Sequence, residues 1–247
     1  MYSVGRGFSG IPPVVKNLIL INVVMLIATF MAQSVFQIDL IRILGLHFPK
    51  SSLFQPYQII THMFMHGGIT HLFFNMFALF MFGRVLETVW GPKRFFIYYM
   101  VTGLGAALVH ELVIGIQYAR IASIMTPDQI QMVFDRGAEL VSQNLTFTDS
   151  AMRQMNSLIN VSTVGASGAV FGILLAFGVL FPNTQLMLLF PPIPIKAKWL
   201  VIGYGGLELY LAITQPGSNI AHAAHLGGMI FGFILLRYWR KTTNTLY

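Results

Sequence analysis

One serine stands among small residues in the run Val164-Gly165-Ala166-Ser167-Gly168-Ala169-Val170-Phe171-Gly172, at the head of an apolar segment. A later apolar segment carries His225 near its own head, followed by Gly228 and Gly232. A serine hydroxyl is a poor nucleophile unless a base within hydrogen-bond reach takes its proton. His225 is the first candidate for that base, and His222, one helical turn earlier, is the second. Gly168-x-x-x-Gly172 and Gly228-x-x-x-Gly232 are faces of small residues, which let helix backbones approach closely in lipid. Packed together, these faces would set Ser167 and His225 at the top of one contact. His71 and Asn75 are four apart and project from one face of another helix. With the Ser167 backbone N–H they could form an oxyanion hole, in which each donor contributes about 3–4 kcal/mol. Glu111 and Glu208 lie at a suitable depth but adjoin neither motif, so the chemistry predicted is that of a Ser167–His225 dyad.

Composition says what must hold these groups in place. The chain has 247 residues, 55% hydrophobic and only 9% charged, with a mean hydropathy of +0.70. Soluble domains carry roughly 25% charge, so this reads as an all-α integral membrane protein with no room for a large soluble domain. There are no cysteines, which excludes disulfides, thiolate catalysis and cysteine-ligated zinc. A helical span needs about 20 mostly apolar residues. Six segments qualify, at about 17–36, 69–88, 95–117, 164–181, 198–214 and 220–238, within a single membrane domain over residues 1–247. Arg6, Lys16, Arg84, Lys93, Arg94, Lys196, Lys198, Arg237, Arg240 and Lys241 then fall on one side. Arg42, Lys50, Arg120, Arg136 and Arg153 fall on the other, and the last external loop, Gln215 to Asn219, has no charge. The positive-inside rule places both termini in the cytoplasm. Orientation in a lipid bilayer thus accounts for the net charge of +7 better than binding to nucleic acid does. The first span, from Leu18 to Ala32, is followed by no good small-x-small cleavage site and is read as an uncleaved anchor.

Two external segments are long, 37–68 and 118–163. Thr126-Pro127-Asp128-Gln129 is a helix start, with Thr as N-cap, Pro first and Gln third, and predicts a helix over about 127–143. Thr148-Asp149 caps a second one, to about 159. Whether these helices lie on the membrane surface or cover a site is left open. Asn144-Leu145-Thr146 and Asn160-Val161-Ser162 match the glycosylation pattern. With the termini inside, His71, Asn75, His110, Glu111, Ser167, Glu208 and His225 all fall in the outer half of the membrane. Polar groups in spans are costly and face the bundle interior or water, so the clustering predicts a hydrated cavity open to the exterior.

These motifs together resemble the rhomboid intramembrane serine proteases. Gly165-Ala166-Ser167-Gly168 matches the family's GxSG, His66-x4-His71-x3-Asn75 its second span, and Ala224-His225-x2-Gly228-x3-Gly232 its sixth. Gly83-Arg84-x2-Glu87, followed by Gly91, resembles its pattern at the end of span two. The resemblance covers roughly residues 55–240 and implies a six-helix rhomboid-like bundle without a cofactor or metal. It implies Ser167 as nucleophile, His225 as general base, and His71, Asn75 and the Ser167 amide as the oxyanion hole. Gly165, Phe171, His66, Gly228 and Gly232 would support them. The substrates would be transmembrane proteins entering laterally, with the fifth span and the loop before the sixth as candidate gates. Phe171 stands where many members have a tyrosine, which keeps the ring that stacks on the histidine. The usual Trp-Arg pair of the first external loop is missing, and Tyr57-Gln58 sits near its place. A catalytically silent relative is the first alternative, though such relatives usually lack the serine or the histidine. A metal or proton transporter using His62, His66, His71, His222, His225, Glu111 and Glu208 is the second; no inverted repeat with paired broken helices supports it. A bacterial plasma membrane is the default expectation for location. Oligomeric state and physiological substrate are not legible.

Overall fold

Two prolines start the first helix, α1 (Pro13–Phe36). Its first amides have no acceptor within the helix, and no side chain of its own caps it. The carboxylate of Glu87, from far along the chain, accepts from Val14 N–H at 2.9 Å and Val15 N–H at 2.8 Å. Glu87 is buried at 2% exposure, so its polar partners are these two amides. That gives a physical role to the Gly83-Arg84-x2-Glu87 pattern: it closes one helix end with a residue of another. Glu87→Ala is expected to destabilise the fold by about 2–3 kcal/mol, because it strands one buried and one partly buried donor. A fall in the Tm of the detergent-solubilised protein checks this, and Glu87→Gln should lose less.

The computed structural model describes residues 10–187, 192–214 and 219–243, with the side chains of 219–221 and 243 left undescribed. The segment after α1, a loop in the sequence reading, contains two short helices, α2 (Leu40–Leu44) and α3 (Gln58–Thr61), and a 3-10 turn at His62–Phe64. Gln58 organises it. Its buried amide donates to the carbonyls of Ile43 and Leu53, both at 3.0 Å, and accepts from the backbone N–H of His47 and Gln55. Such short turns carry too little periodicity to be read from sequence.

Next comes α4 (Ile69–Ala78), then a π-helical turn at Leu79–Gly83, then α5 (Arg84–Ala122). The run Ile69–Ala122 is 54 residues long, yet it does not run straight. Gly91 (φ 77°, ψ 166°) leaves the helical region, and Pro92 follows it. A Cβ placed on Gly83 would lie 3.0 Å from the ring of Phe95. Twelve residues of straight helix would separate those positions by about 18 Å, so the chain reverses at Gly91. The left-handed φ makes glycine the residue for that turn.

Helices α6 (Pro127–Ser142) and α7 (Ser150–Asn160) follow the sequence expectation closely. The Thr126/Gln129 capping box forms, and Asp149 caps α7 by accepting from Met152 N–H at 2.9 Å. Val133, Met152, Met155, Leu158 and Ile159 pack on Ile114 and Met125 at the end of α5. Asn160 is buried at 4% and bonded to Asn156 and Ser51. A glycan on Asn160 is therefore incompatible with the fold, whatever its sequence pattern.

The remaining elements are α8 (Ser167–Leu180), a short antiparallel ribbon of β1 (Gln185–Met187) with β2 (Pro194–Lys196), α9 (Ala197–Thr214) and α10 (Asn219–Thr243). Helix α10 packs against α5, α8 and α9, while α9 lies on the periphery against α8 and α10. Large apolar side chains stand exposed on α1, α4, α9 and α10, for example Leu20 at 58%, Ile69 at 69%, Ile213 at 72% and Ile234 at 56%. Contiguous apolar surface of this extent marks contact with something other than water. The small-residue faces meet only in part. A Cβ on Gly228 would overlap the carbonyl of Gly168. Lower down, Gly172 and Gly232 face side chains of α5 instead of each other. Thr102 lies against Gly172, and Tyr98 lies against Gly232 and donates its hydroxyl to the Gly172 carbonyl at 2.9 Å.

Candidate active site

Ser167 occupies the first position of α8. Its N–H therefore has no acceptor within the helix and points with the positive end of the helix dipole. Gly165, just before it, has φ +134°, and a Cβ there would meet the His71 ring at 2.9 Å. Both facts call for glycine. The Gly165 N–H donates to the His62 carbonyl at 2.9 Å, and Leu46 and Thr163 exchange backbone hydrogen bonds of 2.9 and 2.8 Å. The turn that carries the serine is thus held by the segment that follows α1.

Ser167 Oγ lies 2.9 Å from His225 Nε2. The Phe171 ring stacks on His225, with centroids 4.2 Å apart and planes 7° from parallel. A cavity of about 180 Å³ opens beside the pair, lined among others by His62, His71, His110, Ser167 and His225. His71 faces this cavity. Asn75 does not line it; its side-chain amide donates to the His71 carbonyl at 2.9 Å. An amide NH2 has two protons, so one donor is left. His66 packs edge-on against His71, with centroids 5.0 Å apart. Burial, reinforced by His71, pushes His66 down to about 4, so it is neutral at ordinary pH. Burial also holds His62 and His47 below the usual histidine range. His47, in the segment that follows α1, is fully buried.

The structure also brings in a residue to which sequence gave no partner. Glu208 Oε2 lies 2.5 Å from His222 Nδ1 and 3.1 Å from His225 Nδ1. The first is a hydrogen bond; the second has the distance of an ion pair without hydrogen-bond alignment. Chain adjacency could not reveal this, because Glu208 reaches the site across the α9–α10 contact. Its depth late in an apolar segment was the usable signal. Glu111 is not part of the group: both its carboxylate oxygens are buried without a hydrogen-bond partner among the described residues. Glu208, His222 and His225 are also the residues that could hold a metal ion, their ligand atoms lying within 4.8 Å of one another. Each already faces a partner in the cluster. Among the described residues, those lining the cavity include none from α6 or α7.

Residues 53–241 match the family model for the Rhomboid domain. The chain belongs to the rhomboid family. With its apolar helices, it is an integral membrane protein of that family. Rhomboid protein 1, mitochondrial, of Saccharomyces cerevisiae is 27% identical over 187 residues, covering 76% of this chain and 43% of that protein. RHOMBOID-like protein 12, mitochondrial, of Arabidopsis thaliana is 30% identical over 185 residues, covering 75% and 47%. Rhomboid protease AarA of Providencia stuartii is 27% identical over 180 residues, covering 70% and 52%. The chain spans about half the length of these rhomboid relatives. Two of them carry mitochondrial names, so kinship does not favour a bacterial inner membrane over an organelle membrane.

Proposed function

We propose that the protein is an intramembrane serine endopeptidase that cuts peptide bonds in or near transmembrane segments of other proteins. The observation that carries this reading is the 2.9 Å contact between Ser167 Oγ and His225 Nε2 at a helix N-terminus, inside a membrane protein of the rhomboid family. As Ser167 Oγ attacks the scissile carbonyl, its proton passes to His225 Nε2. The oxyanion is held by the Ser167 N–H, His71 and Asn75. His225 then gives the proton to the leaving amine as the C–N bond breaks. Water enters, loses a proton to His225 and attacks the acyl carbon; His225 returns that proton to Ser167 Oγ as the bond between Oγ and the acyl carbon breaks and the carboxyl product leaves.

The bundle is read as six spans with both termini in the cytoplasm. The chain reversal at Gly91, which splits the long apolar run in two, supports this, as does the uneven spread of Lys and Arg. Substrates enter laterally from lipid. Helical amides in a bilayer are internally bonded, so substrate segments weakened by Gly or Ala are favoured near the cut. Helix α9 is the candidate gate: it is peripheral, and Gly203 and Gly206 on it face open space. The other candidate gate, the loop before α10, falls at 215–218, outside the described residues.

A fluorophosphonate probe tests the reading. Covalent labelling of wild type in detergent, absent in Ser167→Ala, is the expected result; an unlabelled, folded wild type overturns it. Asn75→Ala should lower kcat about 10²-fold with little change in KM, the signature of one transition-state donor. Steady-state cleavage of a transmembrane peptide measures this.

A further inference from the structure

We propose that Glu208 is a positioning residue for His225 and is itself held by His222, so that the site extends over Ser167, His225, Glu208 and His222. This rests on the protease reading above. For Nε2 to accept the serine proton, His225 must carry its own proton on Nδ1. That Nδ1 is buried and has no hydrogen-bond partner among the described residues. Glu208 Oε2, at 3.1 Å, is the acceptor placed to take it. Phe171 fixes the plane of the His225 ring, but a half-turn of the ring keeps that plane and exchanges its two edges. Stacking does not tell the edges apart; a carboxylate facing Nδ1 does. The same carboxylate faces the positive charge that develops on the imidazole when Ser167 gives up its proton.

His222 completes the arrangement. Its Nδ1 lies 2.5 Å from the same Oε2, so it holds the carboxylate beside His225. The helix that carries Glu208 is otherwise apolar, with Trp199, Ile202, Tyr210 and Ile213 exposed. An acid in such a segment is costly and needs a polar reason. Lys198 and Thr214 stand at the two ends of that helix; within its apolar stretch Glu208 is the charged residue, and among the described residues those two histidines are its polar contacts.

The experiment is steady-state cleavage of a transmembrane peptide by the full chain in proteoliposomes, with Tm measured for each variant. Glu208→Gln should lower kcat by about 10²–10⁴, the upper figure being the loss of the equivalent carboxylate in soluble serine proteases. KM should change little, because the loss is confined to the transition state. Glu208→Asp should recover at least about tenfold over Glu208→Gln, since the charge returns even where the reach is shorter. His222→Gln should lower kcat less than Glu208→Gln does. Adding it to Glu208→Gln should cost nothing more, because it acts through the carboxylate. Wild-type kcat in Glu208→Gln overturns the proposal. So does an equal loss in the Gln and Asp variants that tracks a fall in Tm, which marks a purely structural contact. If wild type itself cleaves nothing and Ser167 is not labelled, the protease reading fails and this proposal falls with it.

Discussion

Ser167→Ala and His225→Ala should each abolish cleavage of a transmembrane substrate while the protein stays folded. In serine proteases, loss of the nucleophile or the base alone removes about 10⁴–10⁶ of the rate, leaving what binding and the oxyanion donors supply. Neither change should unfold this chain. Ser167→Ala removes one partner of a single hydrogen bond lining a cavity, so its stability cost is about 1 kcal/mol; His225→Ala also gives up the Phe171 stacking and the Glu208 contact and costs more. The double variant should be no slower than either single one, because the two residues act as a unit. Cleavage in proteoliposomes, with Tm as the control for folding, checks all three. An active, folded Ser167→Ala enzyme would overturn the assignment of the nucleophile.

The second large effect is expected at Gly228. A Cβ there would overlap the carbonyl oxygen of Gly168. That atom is main chain and cannot swing aside as a side chain can, so α8 and α10 would have to separate. Overpacking of this kind costs about 1–3 kcal/mol and sometimes more. The catalytic cost is larger still. Gly168 adjoins Ser167, and Gly228 lies one turn from His225, so the separation falls on the 2.9 Å contact between them. A misplacement of about 1 Å can cost 10²-fold in rate. Gly228→Ala should therefore lower both Tm and kcat, and Gly228→Val should lower them further. Gly115→Ala on α5 is the matched control. A Cβ there comes no nearer than 3.9 Å to a neighbour, and alanine is the better helix former, so wild-type behaviour is expected.

The composition and the apolar segments were enough to read a mostly helical membrane protein, without the short β1–β2 ribbon. The motifs around Ser167, His71 and His225 were enough to single out three of the residues that line the cavity. The helix caps at Thr126 and Asp149 were legible because capping is local: donor and acceptor lie within three residues. What sequence could not supply were contacts between residues far apart in the chain. Glu87 caps α1 from more than seventy residues away. Gln58 ties down a segment too short to show periodicity, and Tyr98 and Thr102 take places that the glycine faces seemed to reserve for each other.

Sequence by itself thus determined the solvent, the helix content and the identity of the serine, the histidine and the glycines around them, because those follow from local pattern and composition. Only the tertiary structure decided that Glu208 and His222 stand behind His225, and that α6 and α7 pack on each other beside α5. An acid's neighbours across a helix interface depend on crossing angle and rotation. Those are set by packing of the whole bundle, which no single segment encodes.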